Sequence, residues 1–184
     1  MFKFIRIYIE RIKNKNKISL NTYIKNFKNI KLEKNINIHS FVTLDATKGI
    51  IKLGNNVTLN RFCFINASKG NIFIGNGTEI NTYTVINGTG EILIGNNVLI
   101  GPNAQIISYT HNFKDKNKTI KEQGIEKKRI IIEDDVWIGA SAIILSGVTI
   151  AKGSVIGANS VVTKNTEPFS INVGVPSKKI GIRE

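Results

Sequence analysis

The sequence is poor in cysteine, proline and histidine, and these shortages exclude several classes of protein. Its 184 residues include one cysteine, three prolines and two histidines. With Cys63 alone, neither an internal disulfide framework nor a multi-cysteine metal site can form. No uninterrupted apolar run approaches the roughly 20 residues of a membrane span. Arg6, Glu10 and Arg11 interrupt the apolar N-terminus, which argues against a secretory signal. We expect one soluble cytoplasmic domain.

Acidic residues are also scarce relative to basic ones. The chain has 26 Lys and Arg against 13 Asp and Glu, a formal net charge of +13. Residues 1–34 carry ten basic and two acidic groups, and residues 114–129 carry seven and three. Such patches attract nucleic acid, anionic lipid or phosphate-bearing ligands, but no nucleic-acid motif accompanies them. We expect no nucleic-acid partner and keep two interpretations of residues 1–34: a solvated lysine-rich surface, or a peripheral membrane contact.

Aliphatic residues recur at every sixth position along much of the chain. The longest unbroken series is Ile132, Ile138, Ile144, Ile150, Ile156 and Val162. Shorter series start at Leu53, Ile74 and Ile94. A period of six fits neither an α-helix nor a simple alternating strand, but it fits a short strand followed by a turn. Three such units would close one triangular coil.

Stacked coils of this kind form a solenoid with an aliphatic interior. The interval from Ile94 to Ile132 is about twenty residues longer than one coil, so a loop must leave the solenoid and return. Solenoids also need covered ends. The sequence predicts an all-β solenoid over residues 38–167 with an inserted loop at 107–130. Residues 1–37 and 168–184 are predicted to be its N-terminal and C-terminal caps.

Five motif pieces, in this order, resemble the hexapeptide-repeat acyltransferases. They are Val136-Trp137-Ile138-Gly139, Gly147-Val148-Thr149-Ile150, Ile156-Gly157-Ala158, Ser160-Val161-Val162-Thr163-Lys164 and Gly174-Val175-Pro176. The resemblance covers about residues 72–182 and is specifically to galactoside and maltose O-acetyltransferases and to those of bacterial surface polysaccharides. It implies a left-handed parallel β-helix, a homotrimer with active sites between subunits, and acetyl-CoA as co-substrate without a required metal.

The resemblance also assigns residues to the site. His111, at the root of the long insertion, corresponds to the family's catalytic base, and Asn81 to an asparagine of the acceptor pocket. The positions that correspond to coenzyme A contacts are Ala140, Ala158, Thr163, Lys164 and Lys178. A second family arginine corresponds to Gly181, so that contact is missing unless Lys179 or Arg183 replaces it.

Histidine suits the chemistry that the resemblance implies. Acetyl transfer to a hydroxyl needs a base with a pKa near 7, and the chain offers only His39 and His111. We expect His111 to take the acceptor proton as the oxygen attacks the thioester carbonyl. A backbone N–H at a corner, such as that of Ala140, would stabilise the oxyanion. Asp115 and Glu122 are nearby in sequence, and either of them, or a backbone carbonyl, could orient the imidazole.

The predicted activity is O-acetylation of a sugar hydroxyl in surface polysaccharide synthesis. The alternative is N-acetylation of a nucleotide-linked amino sugar, which the sequence does not distinguish. A β-helical carbonic anhydrase would need three zinc-bound histidines, and the chain has two. A non-catalytic β-helix such as an ice-binding protein would show a regular threonine face and no long insertion. Trp137 could stack on a ligand or pack beside a corner, and we expect it to pack. We expect Cys63 to be inert.

Overall fold

The computed structural model of the protein describes residues 14–67 and 69–184. Residues 1–13, part of the predicted N-terminal cap, lie outside the described residues. The described chain forms short strands, one 3-10 helix at Phe27–Asn29 and the turns between them. Most strands have two or three residues because each six-residue unit must also supply a turn.

Three sheets form the sides of a prism, which we call faces A, B and C. Face A contains β1 (Lys17–Ile18), β4 (Asn37–Ile38), β7 (Thr58–Leu59), β10 (Glu79–Ile80), β13 (Leu99–Ile100), β18 (Trp137–Ile138), β21 (Val155–Ile156), β23 (Ser170–Val173) and β24 (Lys178–Ile182). Face B contains β2 (Tyr23–Lys25), β5 (Thr43–Asp45), β8 (Phe64–Asn66), β11 (Val85–Asn87), β14 (Gln105–Ile107), β19 (Ile143–Ile144) and β22 (Val161–Val162). Face C contains β3 (Ile30–Leu32), β6 (Ile51–Leu53), β9 (Ile72–Ile74), β12 (Ile92–Ile94), β17 (Ile130–Ile132) and β20 (Thr149–Ile150).

The chain passes from face A to B to C in each coil and then begins the next coil on face A. We number the coils by their strand on face A, so coil 1 starts at β1 and coil 7 at β21. Corner AB, corner BC and corner CA denote the turns between faces. Neighbouring coils pair in parallel, as in the series Ile80, Ile100, Ile138 and Ile156 on face A. The predicted all-β parallel β-helix is confirmed.

The core is one continuous aliphatic column inside the prism. Every member of the six-residue series from Ile132 to Val162 points inward and is at most 1% exposed. Full burial of such a side chain contributes about 1.5–3 kcal/mol of hydrophobic free energy. The periodic pattern therefore identifies the residues that hold the coils together.

The N-terminal boundary predicted at residue 38 is wrong, because the coils begin at Lys17. Strands β1, β2 and β3 pair in parallel with β4, β5 and β6, so residues 17–32 form a complete coil. Ile18 and Ile30 are buried inside it and Ile24 is half-buried. These three residues are six apart, so the signal was present in the sequence but is obscured by the surrounding Lys and Asn. At the other end, β23 pairs in parallel with β21, and β24 returns antiparallel to β23.

Corner CA is stabilised by a ladder of side-chain hydrogen bonds between coils. The backbone N–H of Asn55 donates to Oδ1 of Asn76 at 2.8 Å, and the N–H of Asn76 donates to Oδ1 of Asn96 at 2.8 Å. The N–H of Asn96 donates to Oδ1 of Asp134 at 2.6 Å. Each bond satisfies a backbone donor that the turn leaves without a sheet partner, which contributes about 1 kcal/mol.

Corner AB carries a stack of three aromatic rings. The Phe41 and Phe62 ring centroids are 5.1 Å apart, and those of Phe62 and Tyr83 are 4.9 Å apart. Each residue has a positive φ between 61° and 65°, which is costly for a bulky side chain. The three side chains nevertheless remain 42–55% exposed. A continuous apolar strip therefore runs along this corner from coil 2 to coil 4.

Candidate active site

The long insertion is a braced hairpin that leaves the prism at corner BC of coil 5. Strand β15 (Tyr109–His111) pairs antiparallel with β16 (Ile125–Lys127), and His111 lies opposite Ile125. Beyond this ladder, the Asn112 N–H donates to the Gly124 carbonyl at 3.1 Å. The Gln123 side chain accepts from the Asp115 N–H and donates to the Asp115 carbonyl, each at 3.0 Å. The segment that carries His111 is thus held in one shape by its own hydrogen bonds.

The root of the hairpin is fixed to coil 4. Buried Ser108 donates its hydroxyl to the Asn87 carbonyl at 3.0 Å and accepts from the Gly90 N–H at 2.8 Å. On the returning strand, Arg129 pairs with Glu91 at 2.5 Å. The motif pattern did not point to these residues, because their role depends on contacts between consecutive coils. They set the direction in which the hairpin leaves the prism.

His111 is exposed beside a groove of about 320 Å³ that Phe113, Lys114 and Glu126 also line. Its ring makes an edge contact with Tyr109, with centroids 6.3 Å apart. No other described residue hydrogen-bonds the imidazole. Neither expected carboxylate orients it, since each faces a partner in the loop. Asp115 pairs with Lys118 at 3.7 Å. Glu122 accepts from Thr119, whose hydrogen bonds lower the pKa of this carboxyl.

Asn81, Ala140 and Ala158 lie together at corner AB. The pairing of β10, β13, β18 and β21 places Asn81 at this corner in coil 4, Ala140 in coil 6 and Ala158 in coil 7. Ala140 and Ala158 occupy equivalent positions in adjacent coils. The two coils are in close contact here, since a Cβ on Gly139 would lie 2.6 Å from the Ala158 nitrogen. Within the described residues, the N–H groups of Ala140 and Ala158 have no acceptor. Two backbone donors on adjacent coils are thus unpaired within the described residues.

Asn81 belongs to a half-buried polar cluster. Its side-chain oxygen accepts from Asn60 at 3.3 Å, and its side-chain nitrogen lies 3.5 Å from Oε1 of Glu79. The Asn60 amide also donates to Glu79 at 3.0 Å. Behind them, the Cys63 thiol donates to the Asn81 carbonyl at 2.9 Å. Burial raises the pKa of Cys63 to about 12, so the thiol stays protonated and unreactive at neutral pH.

The remaining predicted coenzyme A contacts lie at the C-terminal end of the prism. Thr163 and Lys164 follow β22 at corner BC, and both are exposed. Lys178 begins β24, opposite Val173. The Ser177 N–H donates to the Val161 carbonyl at 2.8 Å, which holds this segment over coil 7. Lys178 forms no ion pair with any residue that the structure describes.

Both cations that could replace the missing family arginine are paired with carboxylates. Lys179 pairs with Glu167 at 2.5 Å. Arg183 pairs with Asp135 at 3.0 Å and also donates to the Gly153 carbonyl at 3.0 Å. These contacts attach β24 to the prism, and they leave Lys178 as the cation of that strand without an ion pair to a described residue.

Trp137, in the first of the motif pieces, has a large and exposed side chain. It points outward from face A, 54% exposed, beside a groove of about 370 Å³ lined by Leu99, Val155 and Arg183. The expectation that Trp137 would pack beside a corner is therefore wrong. Its position precedes the inward Ile138, and in a strand the preceding residue faces the opposite side.

In one chain the predicted site residues form two groups on different corners. His111, Thr163 and Lys164 lie at corner BC, whereas Asn81, Ala140 and Ala158 lie at corner AB. The heights of the two groups along the prism agree: the His111 hairpin leaves from coil 5, between Asn81 in coil 4 and Ala140 in coil 6. Face B separates the corners within the chain.

Comparison with known proteins identifies relatives of this architecture. A family model described as bacterial transferase hexapeptide (six repeats) matches residues 129–164. Galactoside O-acetyltransferase of Lactococcus lactis is 40% identical over 87 residues, which is 47% of this chain and 41% of that protein. The chain spans about two fifths of the length of the curated relatives that it matches.

Two solved structures match a larger share of the chain. A hexapeptide-repeat acetyltransferase from Vibrio cholerae, crystallised with acetyl coenzyme A, is 34% identical with a TM-score of 0.66, over 72% of this chain and 71% of that one. A maltose O-acetyltransferase from Clostridium difficile is 31% identical with a TM-score of 0.66, over 72% and 69%. Residues 14–67 and 69–184 contain no helix with the length and apolar character needed to cross a bilayer.

This chain is more than 30% identical to both solved structures and covers more than two thirds of each, and the repeat model also matches it. The chain belongs to the hexapeptide-repeat acetyltransferase family.

Proposed function

We propose that the protein is an acetyl-CoA-dependent O-acetyltransferase that acts on a sugar hydroxyl in surface polysaccharide synthesis. The supporting observation is the matched height of two half-sites on different corners. The imidazole of His111 projects from coil 5 at corner BC. At corner AB, Asn81 lies one coil nearer the N-terminus and the Ala140 N–H one coil nearer the C-terminus. A groove between two parallel copies would place His111 and Lys164 on one wall and the N–H groups of Ala140 and Ala158 on the other. We place the enzyme in the cytoplasm, where acetyl-CoA is available.

The arrangement of half-sites supports a homotrimer. Corner BC of one copy meets corner AB of the next, and such a contact between unlike surfaces must close into a ring to be finite. A prism with three sides suits a ring of three. The apolar strip of Phe41, Phe62 and Tyr83 lies on the same corner AB, below Ala140. Exposed apolar strips of this kind mark contact surfaces, so we assign it to the interface.

Several exposed groups fit coenzyme A in that groove. The unpaired N–H groups of Ala140 and Ala158 are available to bind carbonyl oxygens of the thioester arm. Lys164 and Lys178, both exposed, offer positive charge at the C-terminal end for phosphates. The relative from Vibrio cholerae was crystallised with acetyl coenzyme A, which supports the same co-substrate here.

The proposed chemistry is direct acyl transfer. Neutral His111 removes the hydroxyl proton as the acceptor oxygen attacks the thioester carbonyl, and the N–H of Ala140 stabilises the oxyanion. The tetrahedral intermediate then collapses, the carbon–sulfur bond breaks, and the imidazolium returns the proton to the thiolate. The products are an acetyl ester and free coenzyme A, and no metal takes part in any of these steps.

The acceptor is assigned to corner AB near Asn81. The Asn60, Glu79 and Asn81 cluster presents hydrogen-bonding groups of the kind that bind sugar hydroxyls. Coenzyme A release should be measured with acetyl-CoA and two matched acceptor sets: sugars with free hydroxyls, and nucleotide-linked amino sugars. Turnover with the hydroxyl set alone supports O-acetylation. Faster turnover with the amino sugars would instead establish the N-acetyl alternative, and no turnover with either would contradict the proposed function.

Reversing the charge of Lys178 tests the assigned phosphate contact. We expect Lys178→Glu to raise the apparent KM for acetyl-CoA several-fold with a smaller effect on kcat, because the contact stabilises bound substrate and transition state equally. Lys152→Glu, the same charge change at an exposed position of corner CA in coil 6, is the matched control and should leave KM unchanged. An unaltered KM in Lys178→Glu would remove this residue from the site.

A further inference from the structure

The N-terminal end of the prism carries a ring of positive charge that the proposed acetyl transfer does not use. Coils 1 and 2, residues 14–55, contain eight lysines and only two acidic residues, Glu33 and Asp45. Residues 56–106, the next coils, contain two basic and two acidic residues. Apart from the basic hairpin of residues 114–129, the net positive charge of the coils is therefore concentrated at one end of the prism.

The lysines surround the end on all sides. Lys17 lies on face A, Lys25 on face B, and Lys31 pairs in register with Lys52 on face C. The corners carry the others: Lys15, Lys28, Lys34 and Lys48. All eight are exposed. The ring is terminal because β1, β2 and β3 are edge strands of their sheets in the described chain.

Within residues 14–67 and 69–184, most of this charge is not neutralised by ion pairs. Lys25 pairs with Asp45 at 3.5 Å and Lys52 with Glu33 at 3.6 Å. The other six lysines of the ring have no ion pair with a described residue. The exposed lysines repel one another because all carry positive charge, and a negatively charged partner would reduce that repulsion.

We propose that this end of the prism docks on an anionic membrane surface. A ring around the end of a rod presents charge to a plane perpendicular to the rod, whereas a duplex or a single nucleic-acid strand is usually bound along a groove or one face. Parallel copies would bring all their basic ends to the same plane, so each adds to the contact. Each lysine near such a surface contributes to the attraction within about one Debye length.

Residue chemistry also favours lipid over nucleic acid. The ring consists of lysines without arginine, and arginine is the side chain suited to bidentate phosphate and base contacts. In the sequence, residues 1–13 combine four basic residues with seven aliphatic or aromatic ones. That composition is typical of segments that bind acidic lipid interfaces.

Vesicle binding of the purified full-length protein tests the proposal. The test variant neutralises four unpaired ring positions: Lys15→Gln, Lys17→Gln, Lys28→Gln and Lys31→Gln. The matched control neutralises four exposed lysines elsewhere: Lys69→Gln, Lys116→Gln, Lys121→Gln and Lys152→Gln. Sedimentation with phosphatidylcholine vesicles, with and without phosphatidylglycerol, measures partitioning, and circular dichroism confirms that both variants fold.

We expect the natural protein to bind only the vesicles with phosphatidylglycerol and to be released by salt. The ring variant should lose at least about tenfold in partitioning, and the control variant much less. Equal losses in both variants would show that net charge alone is sensed and would overturn the proposal. So would binding to RNA that is tighter than binding to the anionic vesicles, or no vesicle binding at all. None of these outcomes depends on acetyl transfer, so the proposed function is tested separately.

Discussion

Replacing His111 by alanine is expected to lower kcat for acetyl transfer by about 10²–10⁴-fold. The variant removes the only proposed base of the site. Because the side chain is exposed on the hairpin, its loss leaves the aliphatic core and the coil pairing unchanged. The unfolding temperature and the assembly mass should therefore match those of the natural protein.

His39→Ala is the matched control, since His39 is the other histidine of the chain. It lies in coil 2 with Nε2 3.1 Å from the Asn37 side-chain nitrogen, far along the prism from the hairpin. Steady-state coenzyme A release should be nearly normal in His39→Ala. Near-normal turnover in His111→Ala, or an equal loss in both variants, would show that the base has been misassigned.

Two inactive variants are expected to restore activity when they are combined in one oligomer. His111→Ala damages corner BC and leaves corner AB intact. Ala158→Trp fills the exposed AB position of coil 7 and leaves His111 intact. If each site takes its base from one copy and its coenzyme A contacts from the next, a mixed trimer holds one undamaged site. It should then show about one third of the natural activity.

The measurement uses two affinity tags, so that only mixed oligomers are purified after coexpression. Each variant purified alone should be almost inactive. A site formed within one chain predicts no recovery in the mixture, because every chain carries a damaged residue. Failure to recover activity, with mixed oligomers shown to form, would rule out the shared groove.

The sequence predicted the core well because burial and periodicity are linked. A residue that recurs every six positions must point inward in each coil, and Ile138 and Ile156 do so. Coil 1 was missed because its aliphatic residues are surrounded by charged and amide side chains, although Ile18, Ile24 and Ile30 keep the spacing. The predicted boundary was wrong because the many charged and amide residues obscured the six-residue spacing. Coil 1 is held by the same burial of aliphatic side chains as the other coils.

The site was only partly predictable. The motif resemblance pointed to the right segments, but the sequence does not show which corner each segment occupies. That depends on the register of stacked strands and on the length of every corner insertion. The antiparallel pairing of β15 with β16 was also not predicted. Ser108, Glu91 and Arg129 anchor the hairpin through contacts between coils that no local pattern indicates.

Because the coils stack at a constant spacing, the number of coils can change in the N-terminal part of the prism but not between the coils that form the site. Adding or deleting one coil among coils 1 to 3 would shift the basic end by one strand spacing, roughly 4.8 Å, without altering the heights of His111 and Ala140 relative to each other. The same change between coils 4 and 6 would misalign the two walls of the groove. Homologous enzymes can therefore differ in height toward the N-terminus while keeping the same spacing in their catalytic layers.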